Sequence, residues 1–200
     1  MFGFLSAFNS EAIKSATFFK GGIPAEYGGR VSSVLSIKSK EGDYKKWSAT
    51  GGIGPISSNI AFNGPIYKDK TTIYGSFRSS YSNWLVKTIS YQNINKSSVS
   101  FYDASLKIAH KFSDKDKLSL SGYMSKDVFG LPSDTTFRWY NRVGSLQYDH
   151  VFNERAYSTV TVGYGSYSYD VTDKNPYTAY DLKYGLSYPT FKADFNYALE

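Results

Sequence analysis

The stretch Lys20-Gly21-Gly22-Ile23-Pro24-Ala25-Glu26-Tyr27-Gly28-Gly29-Arg30, continued by Val31-Ser32-Ser33-Val34-Leu35-Ser36-Ile37 and closed by Lys38-Ser39-Lys40-Glu41-Gly42, decides how this chain is read. Two glycine pairs flank Pro24, and glycine permits the sharp turns that a loop needs. Val31 to Ile37 then alternates apolar and polar, which predicts a strand. Upstream, Asn9-Ser10-Glu11-Ala12-Ile13-Lys14 predicts a short capped turn, and Ala16-Thr17-Phe18-Phe19 predicts a strand. Downstream the chain changes character and becomes a series of long, two-faced, tyrosine-rich strands.

The period-two pattern predicts strands at 47–54, 56–64, 71–81, 100–112, 117–126, 138–152, 155–171, 179–188 and 191–199. Connections come out short at 65–70, 113–116 and 153–154 and long at 83–98 and 127–137. Tyr102, Ala104, Leu106, Ile108, His110 and Phe112 fall on one face, and Asp103, Ser105, Lys107, Ala109 and Lys111 on the other. Strands of this length exceed the mode of about 5–6 residues in soluble sheets and match the roughly 9–11 needed to cross a bilayer. A faint repeat sets His110-Lys111-Phe112 against His150-Val151-Phe152, each before a charged turn.

Composition narrows the chemistry. The 200 residues include 19 Tyr, 14 Phe, 3 Trp and no Cys, so disulfides, thiolate metal sites and a cysteine nucleophile are excluded. Tyrosine, with its apolar body and polar tip, suits a boundary between water and an apolar phase. The formal net charge of +6 is spread over turns and strands without a basic run, which argues against nucleic acid as a partner. No run of 18 apolar residues predicts a transmembrane helix. Met1-Phe2-Gly3-Phe4-Leu5 lacks the features of a signal peptide, so the expectation is a segment of a longer chain.

No nucleophile elbow, zinc-protease motif or phosphate loop is present, and the two histidines stand far apart, so neither an enzyme, a cofactor nor a metal site is expected. Trp84, Tyr91 and Phe129, on the expected long loops, are the candidate ligand contacts.

The glycine-rich stretch, with Gly3-Phe4-Leu5-Ser6-Ala7-Phe8-Asn9 before it and Phe62-Asn63-Gly64-Pro65-Ile66-Tyr67-Lys68-Asp69-Lys70 and Phe77-Arg78-Ser79-Ser80-Tyr81 after it, resembles the end of the plug and the first hairpin of TonB-dependent outer-membrane receptors of the Bacteroidetes type. The resemblance is specific over about residues 2–84. It implies a mainly β fold: residues 1–42 as the C-terminal part of a plug domain, and residues 43–200 as the N-terminal antiparallel strands of a transmembrane β-barrel, roughly the first eight of about 22. It also implies the bacterial cell outer membrane as location. The implied partners are its lipid, the TonB protein of the inner-membrane energising complex, and an unidentified ligand (iron chelate, vitamin or glycan). Glu26, Tyr27, Gly28, Gly29 and Arg30 are then expected against the inner barrel wall, with Glu26 and Arg30 pairing with Arg78 or Lys107. The alternative is a β-sandwich glycan-binding module, soluble or surface-displayed.

Overall fold

The computed structural model describes residues 9–28, 32–88, 97–133, 135–177 and 179–198. The fold is mainly β and antiparallel throughout. A 3₁₀ turn at Ser10–Ala12 leads into β1 (Ile13–Phe19), which pairs with β2 (Val34–Ser39) as a separate two-stranded sheet. Asn9 caps the turn, its Oδ1 accepting from the Glu11 amide at 3.1 Å, as the sequence predicts. Between the two strands lie Gly21 and Gly22, both at positive φ, and a second 3₁₀ turn at Ala25–Tyr27.

Eight strands then form one meander: β3 (Ser48–Ile53), β4 (Ser57–Tyr67), β5 (Thr71–Ser80), β6 (Ser98–Lys111), β7 (Asp116–Gly130), β8 (Thr135–Asn153), β9 (Ala156–Asp173) and β10 (Tyr180–Tyr197). Among the described residues each of these strands pairs only with its neighbours in sequence, and the sheet is open, with β3 and β10 at its two edges. At one end, the turn end, the connections are tight, at 68–70, 112–115 and 154–155. At the other, the loop end, they are 54–56, 81–97, 131–134 and 174–179.

Three expectations change. Residues 127–137 are not a long loop: β7 and β8 run through them and leave only 131–134 between. Phe129 pairs with Phe137 in register, and apolar contact across the ladder holds the hairpin together where Gly130 and Pro132 suggest a break. Residues 83–98 contain a helix, α1 (Asn83–Thr88). The break expected between 188 and 191 is absent, and Pro189 sits inside β10 opposite Tyr164. The ladder to β9 runs unbroken through it, from Tyr188 opposite Gly165 to Thr190 opposite Gly163.

The register divides the sheet into two faces. On one, the rows read Asn63–Tyr74–Lys107–Ser121–Ser145 and Asn59–Arg78–Asp103–Ser125–Asn141. The N-terminal segment lies on this covered face, whose strand side chains Thr72, Tyr74, Ser76, Asp103, Ala109 and Ser119 are buried. On the other, open face, the rows read Phe62–Gly75–Leu106–Gly122–Gly144 and Ile73–Ile108–Leu120–Leu146–Val162. Ile60, Phe77, Leu106, Leu120, Leu146 and Val162 are all 43–54% exposed there. An apolar face left uncovered over so many strands is the feature that requires a functional explanation.

Candidate functional site

The sharpest polar constellation lies where the N-terminal segment meets the covered face. Lys40 donates its amide to the Ala12 carbonyl at 2.9 Å and its Nζ to Glu11 Oε2 at 3.3 Å, closing the base of the β1–β2 hairpin. The Tyr74 hydroxyl on β5 donates to the Glu11 carbonyl. Glu41 reaches two lysines of the sheet: Lys117 Nζ on β7 at 2.7 Å and Lys107 Nζ on β6 at 3.8 Å. Gly42 follows because nothing larger fits. A β-carbon there would collide with the Ile73 backbone and approach Thr72 Cβ to 2.9 Å.

The next residues tie the connection down. The Asp43 carboxylate accepts the amides of Lys45 at 2.7 Å and Lys46 at 3.2 Å, an Asx turn that holds its carboxyl below the ordinary value of 3.8. The Tyr44 carbonyl accepts the Asp69 amide at 3.1 Å, and Lys111 Nζ sits 4.0 Å over the Tyr44 ring. Burial pushes the Tyr44 phenol up, and the nearby Glu41 carboxylate adds to the shift.

Farther toward the loop end, Arg78 Nε donates to Asp103 Oδ2 at 2.6 Å with both side chains largely buried. The guanidinium also stands 4.9 Å from the Phe101 ring centroid. Beyond it the covered face turns aromatic. Phe137 lies 6.4 Å from Phe129, 6.1 Å from Trp139 and 6.5 Å from Tyr169, and Trp139 lies 5.5 Å from Tyr169.

The expected site residues fall as follows. Glu26 and Tyr27 lie on the 3₁₀ turn, with Gly28 just after it; Gly29 and Arg30 lie outside the described residues. Tyr27 donates its hydroxyl to Ser36 Oγ at 2.9 Å, packs 5.5 Å from Phe19, and receives Lys192 Nζ of β10 at 5.5 Å over its ring. The segment therefore spans the covered face from β5 to β10. Arg78 forms an ion pair with Asp103 and Lys107 one with Glu41, and neither pair involves Glu26. Of these two carboxylates, Asp103 is on the sheet and Glu41 on the segment's last residues. Trp84 is on α1 and half exposed, Phe129 is a strand residue on the covered face, and Tyr91 lies outside the described residues.

Sequence reading missed Glu41 and Asp103 as anchors and the aromatic quartet. A signal for the quartet was present: Phe137 and Trp139 are two apart, so on a strand they share a face.

At the turn end, both histidines lie on the open face. His110 stacks edge-on against Phe112 at 4.6 Å, and His150 against Phe152 at 4.5 Å. Each also meets a hydrogen-bonding side chain directly across the ladder, Thr71 at 2.7 Å and Asp116 at 2.6 Å. The repeat legible in sequence is thus a repeated local geometry. Among the described residues no cluster of His, Asp or Glu is arranged to hold a metal ion. Comparison with protein-family models, with curated proteins and with solved structures gives no match.

Proposed function

We propose that this chain forms part of a TonB-dependent outer-membrane receptor, in which residues 9–42 belong to the plug and β3 to β10 to the barrel wall. The observation that carries the reading is the contrast between the two faces of β4 to β8 toward the turn end: one polar and holding the N-terminal segment, the other apolar and covered by no described element.

The dimensions support it. On the open face, β6 and the residue that follows it present Tyr102, Ala104, Leu106, Ile108, His110 and Phe112. At about 3.4 Å per residue and a tilt of roughly 45°, that stretch has a height of about 24 Å, close to the roughly 25 Å apolar band of outer-membrane barrels. His110, Phe112, Tyr148, His150, Phe152 and Phe195 form an aromatic row at the turn end, as an interfacial girdle requires. Tight connections at that end fit the periplasmic side, and the 81–97 and 174–179 connections the outer side.

In this reading ligand arrives from the loop end, and TonB draws on a plug region N-terminal to the described residues. No bond in the ligand is made or broken. The polar contacts of Glu41, Tyr74 and Glu11 with the sheet are what a moving plug has to release.

Because the chain has no native cysteine, single cysteines report sidedness directly. Asn175→Cys at the loop end is expected to react with an impermeant maleimide on intact cells, and Asp114→Cys at the turn end only after the outer membrane is opened. Equal labelling of both positions in intact cells would sink the proposal.

A further inference from the structure

We infer that the open face carries a binding site for an anionic membrane lipid, seated in a trench over Gly122 and Gly144 with its phosphate on Arg142 and Lys126. The inference rests on the proposed membrane orientation.

The trench follows from register. Gly122 on β7 stands directly opposite Gly144 on β8, so two adjacent strands lack a side chain in the same row of the open face. A β-carbon built on either glycine meets no atom within 4 Å. Three other glycines of this sheet are roofed by a neighbouring ring: Trp47 covers Gly64, Phe62 covers Gly75 and Tyr188 covers Gly165. The Gly122–Gly144 pair has no such cover, and the result is a groove of about 450 Å³ walled by Ala104, Leu106, Met124 and Tyr164. Toward the turn end it continues into the rows of Leu120–Leu146–Val162 and Leu118–Tyr148–Val160, which stay apolar. A groove of this kind takes a hydrocarbon chain, because the groups on its floor and walls offer an acyl tail contact and offer water almost nothing.

Its other end is cationic. Arg142, paired in register with Met124, lines the groove at its loop-end rim. One row farther, Lys126 sits opposite Tyr140 with its Nζ 5.3 Å from that ring's centroid. The row of Arg142 reads Ala104–Met124–Arg142–Ser166, and that of Lys126 reads Tyr102–Lys126–Tyr140–Ser168. Neither row holds a carboxylate, and among the described residues neither cation forms an ion pair. Two cations at the polar margin of an apolar trench match one ligand chemistry: a phosphate attached to an acyl chain. Arginine supplies the directional fork, lysine the point charge.

The test uses the protein reconstituted in phosphatidylcholine nanodiscs, with phosphatidylglycerol as the anionic probe and its retention after detergent extraction read by native mass spectrometry. The unaltered protein is expected to retain phosphatidylglycerol over phosphatidylcholine. Arg142→Gln combined with Lys126→Gln should weaken apparent affinity by about tenfold, the scale of one charge-assisted phosphate contact. Gly144→Leu, which fills the trench and leaves both cations in place, should weaken it similarly, and the open space above Gly144 keeps that variant folded. Unchanged retention in all these variants overturns the site. Loss with the charge variants but not with Gly144→Leu, together with displacement by inorganic phosphate, reduces it to a phosphate contact and overturns the trench. Failure of the unaltered protein to enter nanodiscs overturns the membrane reading itself, and is distinguishable because no variant is needed to see it.

Discussion

Arg78 and Asp103 stand opposite each other on β5 and β6, with Nε of one 2.6 Å from Oδ2 of the other, and theirs is the least exposed ion pair among the described residues. Their side chains are 12% and 4% exposed, so neither charge can fall back on water if its partner is removed.

Asp103→Ala is therefore expected to destabilise the folded protein by about 3–5 kcal/mol, because it removes the carboxylate that neutralises a largely buried guanidinium. The double variant Arg78→Met with Asp103→Leu should recover most of that loss. Urea unfolding of the refolded protein in detergent checks both; equal stability of Asp103→Ala and the parent would show that the pair is not insulated from water.

Glu41 bridges the N-terminal segment to Lys107 and Lys117, and these groups retain partial solvent access. Glu41→Gln should cost only about 1 kcal/mol. The expected sign is local: limited proteolysis speeds up within residues 9–42, while β6 and β7 keep their protection. Faster cleavage in the strands would place the role of Glu41 in the sheet.

Gly42 and Gly144 should respond oppositely to the same change. Gly42→Ala drives a methyl into the Ile73 backbone and should cost about 1–3 kcal/mol. Gly144→Ala meets empty space and should be neutral or slightly stabilising, since alanine removes freedom from the unfolded chain. Thermal unfolding of the two variants side by side decides it.

Asp43 accepts two amides and so titrates below 3.8 in the folded protein, the Lys45 amide being the larger cause and the Lys46 amide the second. The stabilisation is fully present above that ordinary value and is lost as the pH falls through the lower folded one. Carbon-detected NMR of the Asp43 carboxyl should give a midpoint below 3.8, and Asp43→Ala should abolish the acid-dependent change in the Lys45 and Lys46 amides. A midpoint at or above 3.8 would mean the Asx turn does not form.

Much of this architecture was legible because alternation is a local signal. The tight connections at 113–116 and 153–154 read correctly to within a residue or two, since charged and Asn-containing tetrads interrupt an otherwise unbroken period of two. The misreadings share one cause: a turn residue overruled by its neighbours. Gly130 and Pro132 suggest a long loop, but Phe129 and Phe137 pair across the ladder and extend both strands. Pro189 suggests a break, but β10 stays paired with β9 on either side of it.

The site was less legible. Arg78 was legible as a polar residue of the sheet, but its partner depends on the register of β5 against β6, which no local pattern supplies. The same holds for the switch of apolar side chains between faces. Val160, Val162 and Tyr164 lie on the open face, whereas Leu182 and Tyr184, which continue the same alternation, lie on the covered one beside Val171 and Tyr169. Two similarly alternating strings can thus serve opposite sides of one sheet, and only pairing tells them apart.

The sequential meander has a consequence for how such a sheet grows in evolution. Since, among the described residues, each strand of the meander hydrogen-bonds only to its neighbours in sequence, a duplicated hairpin can be added without rethreading any existing connection. The His-x-Phe pairs at 110–112 and 150–152, with the same edge-on stacking in successive hairpins, have the form such a copying event would leave. A sheet built this way can widen in units of two strands while the segment resting on its covered face keeps the same few contacts.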